Sequence, residues 1–184
     1  KLVKLQDGSA VQMNSNTIIE PAINDTERLV TLKQGEAFFD ISHDKSRPFR
    51  VVTGTQVITV LGTKFSVHKQ GDEIEIVVES GKVQVDHWAA SDQSTTAILG
   101  AGDIARSNQQ DIAIHAAKEE TVSRELSWRQ GLITFDGVSL RQAAKEFERY
   151  NPIRIEIPNS QTAQMKISGQ FNNTSYQAFS RLLD

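Results

Sequence analysis

The chain contains no cysteine in its 184 residues. Disulfides, thiolate metal sites and thiol nucleophiles are therefore excluded together. No apolar run approaches the roughly 18 residues that a membrane-spanning helix needs, and the first residues lack a signal-peptide pattern. Charge of one sign is also missing. Twenty Lys and Arg stand against 23 Asp and Glu, for a formal net charge of −3, and the basic residues are spread along the chain. A nucleic-acid binder would show a basic stripe, and this chain has none. Two Trp and two Tyr supply a stacking platform for glycans only poorly. Lys1 is not an initiating residue, so the chain reads as a piece of a longer protein.

The motifs of chemistry are absent as well. There is no P-loop, no G-x-G-x-x-G fingerprint and no G-x-S-x-G elbow. His43, His68, His87 and His115 share no metal-ligand spacing and are expected at the surface. Gly100-Ala101-Gly102-Asp103 lies between two β runs and not at a helix start, which makes it a turn and not a phosphate cradle. No carboxylate pair can be nominated for glycoside hydrolysis; Glu73, Glu75 and Glu79 fit the wet side of a strand. The expectation is a binding protein without catalysis, cofactor or metal.

What is present is 38% hydrophobic and 23% charged residues, a globular composition with room for one ordinary domain or two small ones. Residues 1–116 read as an all-β domain, either a sandwich or a coil of stacked short strands. Ile74, Ile76 and Val78, and again Val83 and Val85, alternate with polar residues as strands with one covered face do. Residues 117–127 are polar, without Gly or Pro, and read as a linker or a short exposed helix.

Residues 128–184 change to a β-then-α pattern that occurs twice. Phe135-Asp136-Gly137-Val138-Ser139-Leu140 aligns with Phe171-Asn172-Asn173-Thr174-Ser175-Tyr176 at an offset of 36 residues. Ser139 and Gln142 have capping-box spacing, and Leu140, Ala143, Ala144 and Phe147 form one helical stripe extended by Tyr150. Asn151-Pro152 ends that helix. Thr174 and Gln177 are the matching cap, with Tyr176, Phe179 and Leu183 as the second stripe. Ile153–Ile157 and Met165–Phe171 alternate as strands. A further strand that would complete the second copy is missing or lies beyond Asp184. The expected fold is thus mostly β with a small α+β module.

Several motifs in one order carry a resemblance. Leu61-Gly62-Thr63-Lys64-Phe65-Ser66-Val67 resembles the signature of the FecR domain. Around it stand Asp7-Gly8-Ser9, Leu32-x-x-Gly35-Glu36-Ala37-x-Phe39, Arg47-Pro48-Phe49-x-Val51, Val78-x-x-Gly81-x-Val83 and Leu99-x-x-Gly102. Trp128-Arg129-Gln130-Gly131-Leu132-Ile133-x-Phe135 resembles the stretch that follows this domain in transmembrane sigma regulators of iron uptake. The repeat after it is similar to the STN domain of secretins and TonB-dependent receptors. Gly62, Thr63, Phe65, Gly81, Trp128 and Phe135 are then structural positions: glycines for turn or bulge geometry, aromatics as core or linker anchors.

The resemblance implies the periplasmic region of a FecR-type anti-sigma regulator, held elsewhere by one membrane helix. It would bind the periplasmic signaling domain of an outer-membrane TonB-dependent siderophore transporter. A sigma factor would be reached only through a cytoplasmic segment that this chain lacks. The first choice of docking strand is Met165, Lys166, Ile167, Ser168, Gln170 and Phe171, because a small repeat leaves a sheet edge open to strand addition. A periplasmic carbohydrate-binding module is the alternative, and a hydrolase using paired carboxylates the remaining one.

Overall fold

Short apolar alternations separated by tight turns build the first part of the chain. The computed structural model describes residues 1–54, 56–88, 94–108 and 111–180, and the chain divides into two units, Lys1–Ser123 and Arg124–Asp184. In the first unit the strands are β1 (Leu2–Lys4), β2 (Ala10–Met13), β3 (Ile18–Ile23), β4 (Arg28–Asp40), β5 (Phe49–Thr53) and β6 (Gln56–Val60). They are followed by β7 (Lys64–Gln70), β8 (Glu73–Ser80), β9 (Lys82–Trp88), β10 (Ser94–Gly100), β11 (Asp103–Ser107) and β12 (Ile112–Ala116). The segment expected as a linker or short helix contains a seven-residue helix, α1 (Glu119–Glu125), whose one buried side chain is Val122.

The strands form two sheets that share β4. One runs β1-β2-β4-β7-β8-β11-β12 and the other β3-β4-β5-β6-β9-β10. All pairings are antiparallel except β4 with β5. Strand β4 pairs with β3 and β5 up to Gln34, then with β2 and β7 from Gly35 onward. The change of sheet is possible because Gly35 has φ +85°, and a Cβ there would lie 2.6 Å from the Thr17 backbone. Thr17 Oγ1 fixes the corner, accepting from Glu36 N–H and donating to Glu36 O.

Both sheets cover one core. Phe39, Phe49 and Phe65 are fully buried with Val11, Val30, Leu32, Val51, Ile58, Val67, Ile76, Val78, Val83 and Leu99. The Phe39 and Phe65 rings stack at 5.2 Å between centroids. Each such side chain contributes about 1.5–3 kcal/mol by leaving water, which accounts for a unit that holds without disulfides. The mostly β fold expected from the sequence is the one observed, as two sheets over a common core.

A charged pair, Arg28 with Asp7, lies buried there, the two side chains 1% and 2% exposed. Arg28, at the start of β4, is 2% exposed. Its Nε donates to Asp7 Oδ2 at 2.7 Å, Nη1 to Arg47 O, and Nη2 to Ser42 O and Ser9 Oγ. The guanidinium also lies 5.4 Å from the Phe49 ring centroid. Burial pushes the Asp7 carboxyl up, but the Ser9 hydroxyl, the Arg28 guanidinium and the Ser9 amide together hold it below its ordinary value of 3.8.

The second unit opens with a 3₁₀ turn, Ser127–Gln130, closed by Gly131 at φ +77°. It continues through β13 (Leu132–Ser139), α2 (Leu140–Tyr150), α3 (Ser160–Gln164), β14 (Lys166–Asn172) and α4 (Tyr176–Ser180). Strands β13 and β14 form a two-stranded antiparallel sheet.

A carboxyl whose folded value is depressed stabilises the fold above its unfolded value and loses that contribution as pH falls through the folded one. Asp7→Asn should therefore lower the unfolding free energy by about 3–5 kcal/mol near neutral pH, since it leaves Arg28 buried and unpaired. Urea titrations at several pH values should show the wild-type advantage shrinking below about pH 4.

Candidate functional site

The second unit is a repeat that folds on itself. Ser139 caps α2 as its spacing predicts: its hydroxyl accepts from Gln142 N–H, and the Gln142 side chain accepts from Ser139 N–H at 3.0 Å. Leu140, Ala143, Ala144 and Phe147 are buried along one stripe. Tyr150 extends the stripe, and the helix stops at Asn151, whose amide donates to Phe147 O and Asn173 O. The two aligned phenylalanines meet: Phe135 and Phe171 lie 5.7 Å apart, and Phe147 lies 5.8 and 5.9 Å from them. Phe179, from the second copy, is fully buried 4.8 Å from Phe147.

Two expectations for this unit are corrected. Thr174 does not cap the second helix: its N–H and hydroxyl donate to Asn172 Oδ1 in a local turn, and α4 begins only at Tyr176. Leu183 lies outside the described residues. Ile153–Ile157 is not a strand, although its alternation is real: the isoleucines are half-buried, with Ile155 and Ile157 against the core, and Arg154 and Glu156 are exposed. No ladder partner faces it among the described residues.

Residues Met165–Phe171 form most of β14. Met165 is 58% exposed; Ile167 and Phe171 pack on the core, while Lys166, Ser168 and Gln170 are exposed. The Met165 carbonyl accepts from Leu140 N–H, so the backbone of the odd-numbered residues turns towards β13. By the same alternation, Lys166, Ser168 and Gln170 present N–H and C=O to the outer edge, which no strand covers among the described residues. Ser168 Oγ accepts from Gly137 N–H, and Gln170 Nε2 donates to Thr134 Oγ1, tying those side chains inward to β13. Trp128 is buried in the 3₁₀ turn and Phe135 in β13.

In the first unit the remaining structural positions gather at one junction. A Cβ on Gly62 would lie 2.6 Å from His43 Nδ1 and 2.7 Å from His43 Cα. Gly81 turns β8 into β9 at φ +90°, with Thr63 Oγ1 against it. Thr63 Oγ1 donates to Lys82 O, and Ile41 N–H donates to Thr63 O. Phe65 fills the core beneath.

His87 is not at the surface as expected but 2% exposed. It stands in one cross-strand row with Thr53 and Gln56, and Gln56 donates to Ser107 Oγ at 2.5 Å. The period-two run Val83, Val85, His87 held the signal, since all three point inward. A shallow depression of about 450 Å³ on β7, β8, β11 and the turn after it is lined by His68, Glu73, Glu75, Arg106, Asn108 and Asp111. Arg106 there is paired with Glu75. Among the described residues no group of His, Asp or Glu is placed to hold a metal, and no helix is long and apolar enough to cross a membrane.

Residues 1–84 match the family model described as FecR protein. Two crystal structures of a candidate anti-sigma factor from Parabacteroides distasonis ATCC 8503 are similar over 99% of this chain and 84% of theirs. One, at 1.65 Å, has 28% identity and a TM-score of 0.77; the other, at 2.50 Å, has 26% and 0.79. No curated protein matches the chain.

The matched region depends on the approach of His43 to Gly62. Gly62→Ala should destabilise the unit by about 1–3 kcal/mol through overpacking. Gly100→Ala, where a Cβ meets only Asp103 Oδ2 at 3.7 Å, should be close to neutral in the same urea titration.

Proposed function

We propose that this chain, a FecR-type anti-sigma regulator, is the region that receives the signal and not the one that holds the sigma factor. Its ligand is the periplasmic signaling domain of an outer-membrane TonB-dependent siderophore transporter. Docking passes the signal inward to the sigma factor and so to iron-uptake transcription. The compartment is the periplasm, with the membrane helix and the sigma-binding segment outside this chain. Its role is binding and not catalysis.

The observation that supports docking on the second unit is the open outer edge of β14. In the two-stranded sheet β13 and β14 have only each other as partners among the described residues. The N–H and C=O groups of Lys166, Ser168 and Gln170 are then available to an added strand. Affinity would come from the backbone and selectivity from the exposed side chains at those three positions. Met165, 58% exposed at the head of the strand, adds an adaptable apolar contact. Ile167 and Phe171 hold the edge in place from beneath.

Calorimetric titration with isolated signaling domains of co-encoded transporters tests this reading. Saturable binding to one domain and not its paralogues is the expected result. Lys166→Pro and Ser168→Pro each delete an N–H on the outer edge; the first leaves the hydrogen bonds to β13 in place, while the second also removes the Ser168 hydroxyl that accepts from Gly137 N–H. Each should weaken that binding about tenfold or more with an unchanged circular dichroism spectrum. A folded proline variant that binds as tightly as the wild type places the docking surface elsewhere.

A further inference from the structure

The first unit carries a row of alternating charge across one of its sheets. The ladder register sets Glu36 of β4 opposite His68 of β7, His68 opposite Glu75 of β8, and Glu75 opposite Arg106 of β11. Their chain neighbours Ala37, Val67, Ile76 and Ala105 lie in the core, so all four side chains point to the other face of the sheet. Residues directly opposite in an antiparallel ladder have Cβ atoms about 4.5–5.5 Å apart, which sets these side chains shoulder to shoulder. Both ends of the row are tied down. Arg106 Nε donates to Glu75 Oε2, and Asn14 Nδ2 donates to Glu36 Oε2 at 2.8 Å. Glu36 is 9% exposed, and His68 and Glu75 are half-buried.

With His68 protonated the row reads minus, plus, minus, plus. With His68 neutral, two carboxylates face each other across an uncharged ring. The other charged groups on this face add to the negative side. Glu73 stands diagonal to His68 on β8, and Asp111, before β12, lines the same depression. Arg106 is the one fixed cation among the lining residues, and it is two strands away and held by Glu75. On the flanks, β2 contributes the uncharged Asn14, and Lys69, the next residue of β7, donates to Gly71 O.

We propose that His68 is a pH-sensitive link between β4, β7 and β8: protonated it completes the charge row, and its deprotonation loosens this face of the sheet as pH rises. Adjacent carboxylates favour the charged imidazole, so the folded chain holds the His68 proton more tightly than the unfolded chain does. The stability gained is fully present below the unfolded value of about 6.5 and is lost as pH rises through the folded one. The direction is opposite to that of Asp7, whose contribution disappears on acidification. Because these side chains are partly solvated, the gain is that of partly exposed ion pairs, about two- to fivefold in the unfolding equilibrium constant. The device lies in the first unit, and the proposal does not depend on the identity of any transporter partner.

NMR titration of the His68 ring protons, in the folded chain and in the chain unfolded in urea, tests it. The folded ring should titrate at higher pH than the unfolded one. Glu75→Gln should bring the folded titration down in pH. Arg106→Gln, which leaves Glu75 without its cation, should move it up. A merely structural role for either residue would not produce two opposite shifts. Urea titrations of the wild type and His68→Gln between about pH 5 and 8.5 supply a second readout, in which the other histidines are common to both chains. The wild-type advantage should shrink about two- to fivefold across that range. A folded ring that titrates at or below its unfolded value overturns the proposal. So do charge variants that leave the ring's titration in place, or a wild-type advantage that is the same at every pH.

Discussion

The buried pair of Arg28 and Asp7 is the contact on which the first unit is organised. One guanidinium reaches the β1–β2 turn through Asp7 and Ser9, and the loop after β4 through Ser42 and Arg47. It lies against Phe49, the first residue of β5. All these segments meet at the entrance of β4, so four stretches of chain are held by one side chain. A buried charge is costly unless every donor is satisfied. Here each guanidinium nitrogen has at least one oxygen, and the carboxylate is in turn held by the Ser9 amide and hydroxyl. An apolar residue in this place would fill the space but fix none of the three carbonyl or hydroxyl partners.

Much of this was legible in the amino-acid order, and the exceptions have physical causes. The apolar alternation of β8 and β9, the Ser139 cap and the stripe from Leu140 to Phe147 are local patterns, and locality is what a sequence displays. His87 is a surface residue by its type alone, but its place in the run with Val83 and Val85 points inward. Arg28 could not be read as buried at all, because its burial depends on Asp7, twenty-one positions away. Ile153–Ile157 shows the limit of periodicity: alternation reports that one face is covered, while a strand also needs a hydrogen-bonding neighbour. Thr174 is not the cap because α4 begins only at Tyr176 and the Thr174 hydroxyl is drawn back to Asn172 Oδ1.

The second unit follows a different logic from the first. In the first, two sheets close over a core, and the polar backbone is largely consumed within them. In the second, the two copies of the repeat spend one strand each on pairing with one another, and helices cover the resulting sheet from one side. What remains is backbone, above all the outer edge of β14, which no strand covers among the described residues. Recognition through such edges asks little of side-chain chemistry. That suits a chain with few aromatics and no nominated catalytic group, and it lets surface residues set which strand is accepted.

Strand β4 carries a consequence for how the first unit comes together. Its first half is ordered by β3 and β5 and its second by β2 and β7, with the corner at Gly35 between them. Neither sheet can reach its final register while the other half of β4 is unplaced. Assembly of the two sheets is therefore coupled through one shared strand. The closures it requires span tens of residues, from β2 to β4 and from β4 to β7, which places the rate-limiting step at joining distant segments and not at forming any one hairpin. Once joined, β4 is the last strand whose amides can open to solvent, because two sheets must part to release it.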